Sequence, residues 1–179
     1  MQLSKFFSTL GLLAAPLLMS GCSTSEPAAK PAPVAAAPTA SAEGKAYILA
    51  SEPADAKGVN ATRKDSKDAD EIAIVGRIGG DANPWVEDQA VFMIVDEKLN
   101  PCADEEGCPT PWDYCCSTDL LPDNKAMVKF VDDKGEPLST DARKLLGLKE
   151  LQTVVVHGKA KRDEAGNLTV LADGIFVRK

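Results

Sequence analysis

The sequence predicts a mostly β domain: a small five-stranded barrel with one short helix and a long cysteine-bearing insertion between its second and third strands. Five runs rich in β-branched and apolar residues predict the strands, and a single capped helical stretch falls between the third and fourth. About 136 residues lie between Gly44 and Lys179, enough for one domain with one core.

The first run is Glu71 to Ile78, closed by Gly79-Gly80, and the second is Ala90 to Asp96. Ala126 to Val131 is the third. Ser139-Thr140-Asp141 then offers a helix cap, Arg143 to Leu145 the helix, and Gly147 its stop. The fourth run, Leu151 to Lys161, has Val154, Val155 and Val156 at its centre. Asp163 to Asn167 is a hairpin turn, and Leu168 to Val177 is the fifth strand. Ahead of the first strand, Ala46 to Ala50 reads as a short extra strand or apolar plug, and Ala54 to Lys64 as room for a short helix.

Three strands, a helix and two strands is the order of the oligonucleotide/oligosaccharide-binding (OB) barrel, with a β-sandwich or another open barrel as the alternative. The segment Val154 to Ala172 resembles the last hairpin of bacterial OB-type domains, and Ile74-Val75-Gly76-Arg77-Ile78 resembles their first strand. More narrowly, Glu52 to Lys179, with its segment Cys108-Pro109-Thr110-Pro111-Trp112-Asp113-Tyr114-Cys115-Cys116, resembles uncharacterised secreted proteins of planctomycete-type bacteria. That resemblance implies the fold and names no activity.

The first 21 residues read as a lipoprotein signal peptide. Lys5 supplies the positive charge, and a short apolar run from Phe6 to Met19 follows, too short to span a bilayer comfortably. Leu18-Met19-Ser20-Gly21-Cys22 resembles the bacterial lipobox, with Met19 where that family prefers Leu. The resemblance implies cleavage before Cys22 and its acylation by chains such as palmitate, which makes the lipid bilayer a partner. Ser23, rather than Asp, after the cysteine implies the periplasmic face of the outer membrane as the address. Residues 22–43 are rich in Ala, Pro, Ser and Thr, too poor in apolar surface to fold, and read as a disordered tether. The domain is then 44–179.

Charge is concentrated. Without Lys5 the chain carries a net charge of −8, and the segment from Asp96 to Asp123 alone carries −7. Such a segment repels nucleic acid and anionic lipid and favours cations or basic partners. Nucleic-acid binding, a guess from the fold alone, is disfavoured by this segment and by the lack of a basic stripe.

Chemistry is most plausible in that same insertion. Cys102, Cys108, Cys115 and Cys116 remain after Cys22 is acylated, and four cysteines outside the cytoplasm predict two disulfides. A Cys115–Cys116 bond would close a strained ring, so each is expected to reach back to Cys102 or Cys108, in either pairing. The alternative is a metal site, zinc or an iron–sulfur cluster, on four thiolates, or a thiol-redox site. Against zinc, Cys-x5-Cys-x6-Cys-Cys lacks the paired Cys-x2-Cys knuckles of common modules. Trp112, Asp113 and Tyr114 are candidate ligand contacts, set against a mini-core packed over the cysteines for the rings and a turn cap for Asp113. Trp85 reads as a loop anchor. His157, the only histidine, sits on a strand and reads as outward-facing. No nucleophile elbow, phosphate-cradling loop or heme-attachment motif is present, so no catalytic residue is assigned. The sequence therefore predicts a non-enzymatic envelope lipoprotein without a cofactor, binding an unidentified ligand or envelope protein, with the metal or redox site as its alternative.

Overall fold

The computed structural model describes residues 39–103 and 107–179. The signal peptide, Cys22 and the tether as far as residue 38 lie outside the described residues.

Among the described residues seven strands form one sheet. They are β1 (Lys57–Gly58), β2 (Glu71–Ile78), β3 (Trp85–Val86), β4 (Val91–Val95), β5 (Lys125–Phe130), β6 (Thr153–Arg162) and β7 (Leu168–Val177). Five of them close on themselves. β2 pairs antiparallel with both β4 and β6, β6 with β7, β4 with β5, and β7 runs parallel to β5. The short seam that shuts the barrel matches Arg77 with Val95 and Ile78 with Ile94. This is the predicted small OB-like barrel, with its helix between the third and fourth barrel strands.

The period-2 pattern explains the inside. Along β5, Ala126, Val128 and Phe130 are buried while Lys125, Met127 and Lys129 are half-exposed. Phe92 stacks on Phe130 at 6.5 Å between centroids, and Trp85 and Tyr47 extend the aromatic cluster. Where β6 and β7 bulge at His157/Gly158, a Cβ on Gly158 would lie 2.2 Å from the Leu171 carbonyl oxygen, so only glycine permits the strands to approach there.

The described residues also form three short α-helices: α1 (Val59–Asp65), α2 (Leu121–Asn124) and α3 (Ala142–Leu146). α3 is the predicted helix. The Asp141 carboxylate accepts from the Arg143 N–H at its start, Gly147 ends it at φ 66°, and Leu145 and Leu146 enter the barrel core. α1 fills part of the stretch where the sequence allowed a helix. Its cap comes from far away, because Gly58 has no side chain and Asp96 at the end of β4 accepts from the Asn60 N–H at 2.9 Å.

Two expectations are corrected. The apolar stretch near Ala46 is a 3-10 turn, Gly44–Tyr47, with one bridge from Ile48 to Ile175, because only Tyr47 packs on the core. Trp85 belongs to a short strand and is buried, its Nε1 donating to Glu150 at 2.6 Å. Among the described residues no helix is long and apolar enough to cross a membrane.

Candidate metal centre

The insertion from Asp96 to Asn124 stands on the end of the barrel where β2 and β4 meet. Its anchor is Tyr114, fully buried with Val95, Leu121 and Leu99 in a small cluster separate from the barrel core. Tyr114 takes left-handed backbone geometry (φ 57°), and this reversal joins two 3-10 turns, Pro111–Asp113 and Cys115–Ser117. Pro111 presets the first turn, as proline does at a helical first position. The Gly80 N–H donates to the Trp112 carbonyl at 2.7 Å, and Trp112 Nε1 to the Ala82 carbonyl at 3.1 Å. A Cβ on Gly79 would lie 2.5 Å from that Trp112 carbonyl, so the glycine pair that ends β2 also seats the insertion. Arg77 on β2 donates to the Leu99 carbonyl at 2.9 Å and reaches the Tyr114 hydroxyl at 3.4 Å.

Tied down in this way, the insertion brings its four cysteines together. The sulfurs of Cys102, Cys108, Cys115 and Cys116 all lie within 4.8 Å of one another. Cys115 Sγ is 3.4 Å from Cys102, 3.4 Å from Cys108 and 3.9 Å from Cys116. Cys102 is buried, Cys108 intermediate, and Cys115 and Cys116 exposed. None of the predicted disulfides is formed among the described residues. Either pairing requires sulfurs at bonding distance in separate couples, whereas here one sulfur is shared among three neighbours.

The surroundings differentiate the thiols. The Cys116 backbone N–H donates to the Cys102 sulfur and, with the neighbouring thiols and against burial, lowers its pKa from the usual thiol value. Cys115 is pushed the other way, because its thiol hydrogen-bonds first to the Cys102 sulfur and then to Cys108 and Asp113, and these bonds favour the protonated form. The Asp113 carboxylate accepts from the Cys115 N–H at 2.8 Å and the Thr110 hydroxyl at 2.8 Å, and these bonds lower its own pKa. It also lies 3.8 Å from Cys102 Sγ. Asp113 is therefore the turn cap, set beside two of the sulfurs.

The remaining candidates divide. Tyr114 is wholly buried and is withdrawn as a ligand contact: it is the floor of the insertion, and burial raises its pKa. Trp112 is half-buried, with its carbonyl and Cβ beside Gly79, and lies outside the small cluster around Tyr114. His157 is half-buried, and its Nδ1 pairs with Asp173 at 2.7 Å beside an open groove of about 660 Å³. Arg77, Gly79 and Asp96 were not singled out as functional. The signal for two of them was present, in a double glycine directly after a strand and an acid at a strand end, but the partners lie about 35 residues away in each case.

No family model matches the chain, and no curated protein is similar enough to match it.

Proposed function

We propose that this chain is a lipid-anchored, extracytoplasmic metal-binding lipoprotein whose OB-like barrel presents one zinc ion held by Cys102, Cys108, Cys115 and Cys116. The carrying observation is the gathering of four sulfurs within 4.8 Å by a loop fastened to the barrel through Tyr114, Trp112 and Arg77. A tetrahedral zinc with bonds of about 2.3 Å has sulfur–sulfur edges of about 3.8 Å, which the 3.4 to 3.9 Å separations approach. An iron–sulfur cluster suits the site less well. In a four-iron cluster each thiolate sits on its own iron, so the sulfurs must stand further apart. Four soft donors without an oxygen ligand favour zinc or a monovalent copper over magnesium or calcium.

The protein supplies the frame. Cys102 is the buried ligand, stabilised as thiolate by the Cys116 N–H, while Asp113 orients the turn that carries Cys115. A bound ion supplies cross-linking of the insertion. The role is binding rather than catalysis, and its anchor is the acylated Cys22, supported by the lipobox-like Leu18 to Cys22.

Native mass spectrometry of the mature chain tests the metal reading. It should show one zinc, lost with four protons regained on acidification, and lost in each single Cys→Ser variant of the four. A chain whose mass shows two disulfides and no metal contradicts the proposal. Labelled palmitate should enter the wild type and not Cys22→Ala; equal labelling of both would remove the anchor.

A further inference from the structure

Resting on the metal reading above, we infer that the ion at the four-cysteine centre is exchangeable cargo, passed by direct ligand exchange to a thiol-bearing acceptor with a basic surface. A zinc ion held by four thiolates has no open coordination position, so an acceptor must displace one of the sulfurs. The cysteines are unequally open to that displacement. Cys102 is buried and Cys108 intermediate, whereas Cys115 and Cys116 are both exposed. These two are consecutive in the 3-10 turn Cys115–Ser117, and their sulfurs lie 3.9 Å apart. One edge of the ligand tetrahedron is therefore accessible from solvent, and either of its two sulfurs can be the first to leave.

The fold tolerates the loss of the ion. The insertion rests on Tyr114, Val95, Leu121 and Leu99, a cluster that contains no cysteine. Hydrogen bonds from Trp112 to Gly80 and Ala82, and from Arg77 to Leu99, tie it to the barrel end. The barrel core is a separate cluster. Release removes a cross-link from the insertion and leaves the barrel closed, unlike a small domain whose folding is its metal binding. Each exchange also balances without any change of oxidation state. An acceptor thiolate forms a bond to zinc, the bond from Cys115 or Cys116 breaks, and the freed thiolate takes the proton that the acceptor thiol gave up. Repetition at the remaining sulfurs moves the ion. Charge selects the acceptor: the segment from Asp96 to Asp123 carries −7, and Asp119 and Asp123 stand exposed just beyond the cysteine turn. A basic acceptor is drawn to that segment and an acidic one is repelled.

Two peptides serve as acceptors, each with one Cys-x2-Cys pair, the first flanked by lysines and the second by glutamates. The zinc-loaded mature chain is mixed with each, and transfer is timed by native mass spectrometry. Transfer should accelerate in proportion to peptide concentration. The lysine peptide should be about tenfold faster at low ionic strength, an advantage that salt removes. In the double variant Asp119→Asn/Asp123→Asn one zinc should still bind and the gap between the peptides should narrow. A rate that ignores peptide concentration means that the ion dissociates unaided, and overturns the exchange. Equal rates for the two peptides, or a gap unchanged in the double variant, overturn the basic acceptor. In all these cases zinc is bound at the outset, so the metal reading stands. A chain that binds no zinc fails the metal reading itself, and the inference falls with it.

Discussion

Asp113 and Tyr114 are neighbours with opposite tasks. The carboxylate faces the sulfurs and holds the turn, while the phenol ring faces inward and fixes the whole insertion to the barrel. A sequence of Trp-Asp-Tyr suggests a binding surface, and only the left-handed backbone at Tyr114 shows which ring goes in. Replacing Tyr114 by Ala should cost about 3–5 kcal/mol by removing a buried aromatic side chain, and should weaken zinc binding as the turn loosens. Chemical denaturation with a zinc titration measures both. Asp141 supplies a pH-dependent case. The Arg143 guanidinium holds its carboxyl below the usual carboxylate range, so its contribution is present above the unfolded value and lost as pH falls through the folded one. Asp141→Ala should therefore cost about 1 kcal/mol at neutral pH, and the difference from wild type should shrink in acid, read by urea melts across that range.

At the scale of elements, the five barrel strands and α3 were legible because each carries its own pattern: alternation along β5, the valines of β6, and an Asp cap with a Gly stop around α3. The elements that were missed, β1 and β3, and the helix that was foreseen only in outline, α1, draw their stability from elsewhere. β1 and β3 are two residues each, and α1 receives its cap from Asp96, 36 positions from Asn60. Asp96→Ala should melt α1 locally at a cost of about 1–2 kcal/mol, seen as faster amide exchange in Val59–Asp65 with β2 and β6 unchanged. Gly79→Ala forces a Cβ against the Trp112 carbonyl and should unseat the insertion, measured as weaker zinc binding with the barrel intact. The cysteine site was half legible. Spacing identified its four members, but their partnership depends on a loop whose register is set by β2, and so disulfides were expected where four unbridged sulfurs converge.

For the whole molecule, the division of the core into a large barrel cluster and a small one under the insertion separates fold from site. The barrel closes without the cysteines. Removing zinc with a chelator should therefore disorder Asp96 to Asn124 while leaving β-sheet circular dichroism and the main thermal transition in place. A domain that unfolds entirely on chelation would mean that the ion holds the barrel together. The central claim is that four sulfurs bind a single ion, and X-ray absorption at the zinc edge of the metal-loaded mature chain tests it most directly. The account predicts one shell of four sulfurs at about 2.3 Å with no second metal nearby. A shell of oxygen or nitrogen, or fewer than four sulfurs, would contradict it.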